Sequence, residues 1–331
     1  MTSGNVKRAQ KLLVFAAIIL ILSPAALRSA ERRYKVPDAR LVFGLTASPT
    51  DAKVFLFSAS RADDEELSSG VPAVVDLDTS KIVRFAKFET LQVDSNVVWS
   101  VDGQRAIFET TEGVFEIDST RLAEPPKTVA KGPTHGIALS GDESKLAFWR
   151  VGKSSWELIV RDAKTTSTVR KWTVPFVYGG EATGFEISFE AENKLYARTF
   201  DHQGSTPLKR FDISTGKVET VEHDCLALAS GGGTTYYIVS MGHTKSLKKV
   251  MPGGEIRTVA SVGNFDDLRT SAGGKWIALS GGGKSGTLET DTDRISEKIN
   301  CGAVTILADG TSVFVHRGLL SSSAAVCGGS K

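Results

Sequence analysis

The sequence predicts an all-β protein built from a repeated unit of four short antiparallel strands. The first observation is a strand–turn–strand segment such as residues 97–110 ("VVWSVDGQRAIFET"), which recurs roughly every forty residues. The second is that another strand–turn–strand segment follows, as in residues 73–85 ("AVVDLDTSKIVRF"). The third is the composition, because 32 Gly residues and the absence of long charge runs suit many short strands joined by tight turns.

The copies of the first segment share a small or hydroxyl residue, a turn of Asp, Glu, Gly or Asn, and then an apolar strand. They are residues 45–58, 97–110, 137–150, 185–198, 226–239, 268–281 and 304–317. Seven copies indicate seven units.

The second segment brings an apolar strand to an Asp, which precedes a polar turn and another strand. The Asp positions are Asp76, Asp118, Asp162, Asp212 and Asp291. In the fifth unit residues 251–255 ("MPGGE") supply the turn instead. Asp and Ser side chains bond to nearby backbone amides and Gly allows positive φ, so these residue types favour turns. Each unit therefore contains four strands.

A single four-stranded unit cannot bury both of its faces, whereas radial stacking buries the faces and protects the strand edges. The sequence therefore predicts a seven-bladed β-propeller of four-stranded antiparallel blades. The last unit lacks its fourth strand, and residues 32–36 ("RRYKV") precede the first unit without a unit of their own. We expect this N-terminal strand to complete the last blade, which makes residues 32–331 a single domain.

The N-terminus has the order of regions of a secretory signal. Basic residues precede an apolar run of eleven residues, 12–22 ("LLVFAAIILIL"), and "SPAALRSA" follows it. The run is short for a membrane span, which needs about 20 residues. Residues 1–30 are therefore predicted to be a signal peptide, with an uncleaved N-terminal anchor as the alternative. Either way, the protein is expected to be periplasmic or secreted.

The segment "WSVDGQRAIF", within residues 97–110, resembles the repeat of TolB-like propellers, a broad family of exported proteins related to WD-repeat propellers. The other units keep Ser or Asp-Gly only in part, and no typical Gly-His or Trp-Asp pair of WD repeats occurs. The resemblance implies a propeller fold and a habit of protein binding. It fixes no catalytic residue.

Residues 276–286 ("WIALSGGGKSG") look like a relaxed phosphate-binding loop. Such a loop needs a helix after it, whose N-terminal amides face the phosphate. The following residues show no helical apolar face, and the third unit has another Gly-Lys-Ser triplet, residues 152–154, in the same place. We therefore interpret the stretch as a turn between two strands and expect no nucleotide.

Several function classes find no support in the sequence. It contains no G-x-S-x-G and no H-E-x-x-H, and it leaves no residues for a separate catalytic domain. A formal net charge of +2 gives no strong field for nucleic acid. The three cysteines, Cys225, Cys301 and Cys327, form no C-x-x-C. Cys301 and Cys327 could bridge within the last blade, but their spacing leaves the pairing open.

One group of polar residues is predicted to surround the mouth of the central channel, in the connections between consecutive blades. Its members are His135, Glu181, His223, Asp224 and Asp266. Imidazole and carboxylate groups that converge there could bind a ligand or perform acid–base chemistry. The alternative is that they are solvated loop residues. Trp156 and Trp172 make the junction of the third and fourth blades the aromatic candidate surface, with packing between blades as the alternative.

These observations predict an exported, non-enzymatic propeller that binds another protein, a ligand or an envelope component. No cofactor, metal, nucleotide or nucleic acid is expected, and contact with a membrane is expected only through an uncleaved N-terminal segment. The alternative function is an enzyme, such as a metal-dependent hydrolase, lactonase or lyase, with its site at the channel mouth.

Overall fold

The computed structural model describes residues 32–35, 41–59, 70–88, 96–152, 155–175, 185–191, 193–199, 206–231, 233–251, 253–282, 284–299, 304–316 and 319–323. Within these ranges the chain forms seven four-stranded antiparallel sheets. The predicted signal peptide, Glu181, Cys301 and Cys327 lie outside the described residues.

We number the sheets as blades 1 to 7 and give the strands of each from the innermost outward. Blade 1 holds β2 (Leu41–Ala47), β3 (Lys53–Ala59), β4 (Val71–Asp76) and β5 (Lys81–Arg84). Blade 2 holds β6 (Val97–Trp99), β7 (Arg105–Thr110), β8 (Gly113–Asp118) and β9 (Lys127–Lys131). Blade 3 holds β10 (Thr134–Leu139), β11 (Lys145–Val151), β12 (Ser155–Asp162) and β13 (Thr168–Pro175). Blade 4 holds β14 (Ile187–Ala191), β15 (Lys194–Arg198), β16 (Leu208–Asp212) and β17 (Val218–Glu222).

The remaining sheets follow the same order. Blade 5 holds β18 (Cys225–Gly231), β19 (Thr234–Met241), β20 (Thr244–Val250) and β21 (Ile256–Ser261). Blade 6 holds β22 (Asp267–Ser271), β23 (Trp276–Gly281), β24 (Lys284–Glu289) and β25 (Arg294–Ile299), with a 3₁₀ turn at Ala272–Gly274. Blade 7 holds β26 (Val304–Ile306), β27 (Ser312–His316), β28 (Leu319–Ser323) and finally β1 (Arg32–Lys35).

The innermost part of each blade contacts the next blade around a closed ring, and blade 7 contacts blade 1 through β26 and β2. The N-terminal strand β1 pairs antiparallel with β28, from Arg32 opposite Ser322 to Lys35 opposite Leu319. The prediction of an all-β propeller with four-stranded antiparallel blades is thereby confirmed. The N-terminal strand closes the sheet that contains the last strands of the chain, as the sequence predicts.

Burial falls from the second strand of a blade to its outermost strand. In β3 six of seven residues are buried, whereas in β21 none is fully buried. A blade is covered on both faces by its neighbours, so its inner strands need apolar residues on both sides, as in "KVFLFSA". The outermost strands border solvent and accept polar residues.

The hydrophobic core is divided among the junctions between blades. Each of the seven junctions has its own cluster of buried apolar side chains. Between blades 1 and 2 the cluster is rich in aromatic rings, with Phe55 and Phe108 separated by 5.2 Å between ring centroids. Stacking therefore buries the faces that a lone sheet would expose.

The turn before the outermost strand is built as the sequence predicts in four blades. The carboxylates of Asp76, Asp118, Asp162 and Asp212 each accept a backbone amide hydrogen bond from within the turn. The prediction was wrong for Asp291 in blade 6. There the last residue of β24 is Glu289, which accepts a hydrogen bond from the Thr292 hydroxyl at 2.8 Å, and Asp291 lies two residues later.

Candidate functional site

A cavity of about 440 Å³ lies at the centre of the ring. Its wall comes from the innermost strands of blades 1 to 6, which are β2, β6, β10, β14, β18 and β22, and from residues that adjoin them. Ligand sites are typically concave, of roughly 300–1,000 Å³, and mainly apolar with a few convergent polar groups. The ring centre is therefore the candidate functional site.

The cavity reaches one face of the ring in particular. We refer to the turn between the first and second strands of each blade as its inner turn. Innermost strands of a propeller run in the same direction, so these turns share one face, the inner-turn face. Val101, Asp142, Gly233 and Gly273 all belong to inner turns and line the cavity.

The lining combines an apolar wall with four charged side chains. The apolar residues include Val97, Val98, Trp99, Ile137, Leu139, Ile187, Phe189, Leu228 and Leu268. The charged residues are Asp142, Glu186, Glu190 and Arg269. Among the described lining residues there are thus three acids and one base, before their partners outside the lining are considered.

Asp142 lies in the inner turn of blade 3, and this turn fixes its carboxylate. The hydroxyl of Ser140 donates to Asp142 Oδ1 at 2.6 Å, and the amide of Ser144 donates to the same oxygen at 3.0 Å. Hydrogen bonds from Ser140 and then Ser144 lower the pKa of Asp142 to about 2. The carboxylate is therefore charged at neutral pH.

Glu190 lies near the end of β14, close to the inner-turn face. The Tyr196 hydroxyl donates to Glu190 Oε2 at 2.9 Å. Burial, followed by the neighbouring Glu190, raises the pKa of Tyr196. The phenol is therefore a neutral hydrogen-bond donor that orients the Glu190 carboxylate on the cavity wall.

Glu186 immediately precedes β14 and is largely surrounded by protein. Its Oε1 lies 3.2 Å from Nη1 of Arg198, whose side chain is only 7% exposed. Burial raises the pKa of Glu186, and Arg198 opposes that effect only in part. Glu186 Oε2 has no hydrogen-bond partner among the described residues. A buried carboxylate with an unsatisfied oxygen is costly, and such groups concentrate at functional sites.

Among the described residues of this lining, Arg269 is the one basic residue, and an acid outside the lining neutralises it. Its Nε lies 3.1 Å from Asp267 Oδ2. The Ser280 hydroxyl donates to the same Asp267 oxygen at 3.1 Å. Since Arg198 is paired with Glu186 in the same way, the excess negative charge of the cavity wall comes from Asp142 and Glu190.

The predicted site residue His135 lies in β10, within the packing between blades 3 and 4. Its ring is 5.0 Å from the Phe185 ring and 5.5 Å from the Trp156 ring, between centroids. Burial lowers the pKa of His135 to about 4, so the imidazole is neutral at pH 7. Gly136 has φ 57°, and a Cβ there would lie 1.7 Å from the Phe185 carbonyl oxygen. Glycine therefore permits the close approach of the two blades beside His135.

The other predicted site residues are not brought together with His135. His223 and Asp224 are exposed residues that precede β18, and Asp266 is an exposed residue that precedes β22. Asp266 Oδ2 lies 3.5 Å from Lys245 Nζ. In the part of the chain that the structure describes, His, Cys, Asp and Glu side chains do not form a group of three that could hold a metal.

The two candidate tryptophans pack between blades 3 and 4. The ring of Trp156 stacks on Phe185 with 4.3 Å between centroids. The ring of Trp172 meets Phe211 edge to face at 5.2 Å, and its Nε1 donates to the carbonyl oxygen of Gly216 at 3.0 Å. Interactions between blades account for both side chains.

The glycine-rich stretch is a β-hairpin. Residue Gly281 ends β23 and pairs with Lys284, which begins β24. A strand follows the turn, where a phosphate-binding loop would need a helix. The interpretation of residues 276–286 as a turn is confirmed.

The sequence patterns did not identify the charged residues that line the cavity. Asp142 belongs to the Ser-x-Asp turn of a repeat, and it would be read as a turn residue alone. Glu186 and Glu190 flank an apolar strand in "FEISFE", and that pattern equally suits an exposed edge. Only their positions, Glu190 on an innermost strand and Glu186 immediately before it, direct attention to the channel.

Comparisons with known proteins agree on the fold alone. The chain matches no protein-family model and no curated protein. A chain of hydrazine synthase from Kuenenia stuttgartiensis is similar with a TM-score of 0.56 and 13% identity, over 88% of this chain and 97% of that chain. A chain of a mitotic checkpoint complex is similar with a TM-score of 0.58 and 11% identity, over 90% of this chain and 92% of that chain.

A third similar structure is the β-propeller domain of the Trilobed protease from Pyrococcus furiosus. Its TM-score is 0.55 at 12% identity, over 87% of this chain and 92% of that chain. That domain is described as having an open velcro topology. In the present chain the pairing of β1 with β28 joins the two ends of the ring. These likenesses show a β-propeller, and membership of the TolB-like family stays a prediction of the sequence.

The described part of the chain contains no helix that could serve as a membrane span.

Proposed function

We propose that this chain is an exported binding module without catalytic activity of its own, which holds its ligand or partner at the inner-turn face. The observation that carries the proposal is the cavity at the ring centre, which reaches that face and combines apolar walls with charged side chains. Such a concave surface is the usual form of a binding site, and propellers present their turns around it.

The partner in this proposal is a protein or a component of the cell envelope. The resemblance to TolB-like propellers supports protein binding, and one structurally similar chain belongs to a mitotic checkpoint complex. Export rests on the basic and apolar regions at the N-terminus. We take residues 1–30 as the signal or anchor and residues 32–331 as one seven-bladed domain, located in the periplasm or secreted.

The test places a photo-cross-linking amino acid at Val101 in intact cells. Val101 lines the cavity and is 63% exposed. The matched control is Val169, which is 45% exposed on the outermost strand β13. We expect an adduct from Val101 that is lost when the larger side chain of Val98→Trp obstructs the cavity, and no such adduct from Val169. Equal labelling at both positions, or labelling at Val101 that persists in the Val98→Trp variant, would contradict the proposed surface.

The export part of the proposal has an independent test. Cell fractionation followed by N-terminal sequencing of the mature protein is expected to place the chain outside the cytoplasm. A protein recovered in the cytoplasm with Met1 intact would refute export while leaving the cavity untouched.

A further inference from the structure

The excess of negative charge on the cavity wall indicates which charge a bound ligand would carry. Among the described residues that line the cavity, Glu186 is paired with Arg198 and Arg269 with Asp267, both partners lying outside the lining. The acids Asp142 and Glu190 are left without a basic partner that would balance their charge within the described lining. Asp142 is held in its charged form by hydrogen bonds in its own turn. An anionic ligand would therefore meet repulsion at this wall, and a cationic group would meet attraction.

The apolar part of the wall limits which cation fits. The side chains of Val97, Val98, Ile187 and Leu228 offer no oxygen or nitrogen ligands to a metal ion. Among the described residues, the metal-ligating side chains do not form a group of three. The surface instead suits an organic cation, whose alkyl part contacts the apolar wall while its charged end faces the carboxylates.

We propose that the cavity binds an apolar ligand that carries one protonated amine or guanidinium group. This inference rests on the proposed binding function and specifies the ligand class of the same site. The cationic end lies toward Asp142 and Glu190 at the inner-turn face, and the apolar body lies against β6, β14 and β18. The same chemistry is offered by a free alkylamine and by a basic side chain of a partner protein.

The experiment compares three probes that differ in charge and little in size: hexylammonium, 1-hexanol and hexanoate. Binding to the purified full chain is measured by tryptophan fluorescence, because Trp99 lines the cavity, and Trp99→Phe identifies the reporting ring. We expect hexylammonium to bind about tenfold more tightly than 1-hexanol, and hexanoate to bind most weakly.

Two double variants with the same change in charge separate a local effect from a general one. Asp142→Asn with Glu190→Gln removes two carboxylates from the cavity wall and keeps oxygen acceptors for Ser140 and Tyr196. Asp162→Asn with Asp212→Asn removes two carboxylates from the outer turns of the same two blades. We expect the preference for hexylammonium to fall below about threefold in the first variant and to stay near tenfold in the second.

The outcomes distinguish failure of this inference from failure of the proposed function. If the three probes bind equally and Val98→Trp abolishes their binding, the cavity remains a binding site but its selectivity for cations is overturned. A preference that survives in the first variant would overturn it as well. Absence of binding by all three probes, together with unchanged cross-linking from Val101 in the Val98→Trp variant, would overturn both.

A final arm separates the two sources of the cationic group. The blocked peptide acetyl-Leu-Lys-Leu-amide is titrated under the same conditions as hexylammonium. Tighter binding of the peptide assigns the site to a basic side chain of a partner protein. Tighter binding of hexylammonium assigns it to a free amine, and failure of both cations to outcompete 1-hexanol overturns the inference.

Discussion

Thr166 adopts a left-handed backbone conformation with φ 59°, in the outer turn of blade 3. The corresponding residue in blade 4 is Gly216, with φ 79°. The two turns begin alike, since Asp162 accepts the amide hydrogen bond of Thr165 at 2.7 Å and Asp212 accepts that of Thr215 at 2.8 Å. A left-handed conformation costs a residue with a Cβ about 1–2 kcal/mol. Blade 3 therefore carries local strain that blade 4 avoids.

We expect Thr166→Gly to raise the free energy of unfolding by about 0.5–1 kcal/mol, because relief of strain exceeds the added entropy of glycine in the unfolded chain. The reciprocal change Gly216→Thr is expected to lower it by about 1 kcal/mol or more. Urea denaturation of both variants beside the parent protein measures the two effects. A Gly216→Thr variant as stable as the parent would show that these turns tolerate a Cβ at no cost.

The neutral imidazole of His135 makes stability depend on pH. Burial lowers its pKa to about 4, whereas an exposed histidine in the unfolded chain titrates near 6.5. Between these values the unfolded state binds the proton and the folded state does not. The stability that the neutral His135 contributes is therefore fully present above pH 6.5 and is lost as pH falls toward 4. The loss reaches about 3 kcal/mol at most.

We expect His135→Phe to remove this loss while keeping the stack with Phe185 and Trp156. The difference in unfolding free energy between His135→Phe and the parent is expected to grow as pH falls from 7 to 4. His223→Gln, at an exposed position, serves as the control and is expected to follow the parent curve. Parallel curves for His135→Phe and the parent would show that the imidazole charges freely in the folded state.

At the scale of strands and turns, each junction between blades is fixed by polar contacts as well as apolar packing. The Trp99 indole donates to the Thr46 carbonyl oxygen between blades 1 and 2, at 3.2 Å. Lys248 pairs with Glu222 between blades 5 and 4 at 2.7 Å. Between blades 7 and 1, the Tyr34 hydroxyl of β1 donates to the Leu77 carbonyl oxygen at 2.8 Å. The closing strand is therefore anchored to the first blade as well as to the last.

We expect Tyr34→Phe to lower the free energy of unfolding by about 1 kcal/mol, because the buried hydrogen bond from the Tyr34 hydroxyl to the Leu77 carbonyl oxygen is lost. The matched control is Tyr237→Phe. The Tyr237 hydroxyl is buried without a hydrogen-bond partner among the described residues, so its removal is expected to leave stability unchanged or higher. Thermal and urea unfolding compare the two. Equal losses in both variants would assign the effect of Tyr34 to packing alone.

Carboxylates in the turns stabilise the molecule as a whole against acid. Hydrogen bonds from neighbouring hydroxyl and amide groups lower the pKa values of Asp118, Asp142 and Asp212 to about 2. The unfolded chain takes up these protons nearer pH 4, before the folded chain does. The stability that these groups contribute is therefore present above pH 4 and is lost as pH falls toward 2.

We expect the variant in which Asp118, Asp142 and Asp212 are all changed to Asn to have a flatter dependence of unfolding free energy on pH between 4 and 2. Its stability at neutral pH is expected to be lower than that of the parent, because Asn keeps the acceptor and loses the charge-assisted hydrogen bonds. Urea titrations at several pH values measure both. Identical slopes for the two proteins would mean that other groups control acid unfolding.

For particular elements the sequence was sufficient because the signal is local. Turn residues such as Asp162 and the alternation within "KVFLFSA" act over a few neighbouring positions, and they predict strands and turns directly. The glycine-rich hairpin at residues 276–286 was recognised from the strand pattern that follows it. The exception at Asp291 arose because Glu289 ends the strand in place of an Asp.

The sequence by itself determined the repeated four-stranded unit and the closing N-terminal strand, since apolar strands that cannot bury both faces alone must stack. Only the tertiary structure decided which side chains meet. His135 was expected at an open channel mouth, and packing against Phe185 places it between blades instead. Asp142, Glu186 and Glu190 line one cavity at the ring centre because inner strands and turns of different blades converge there. Such convergence depends on ring closure, which no local pattern records.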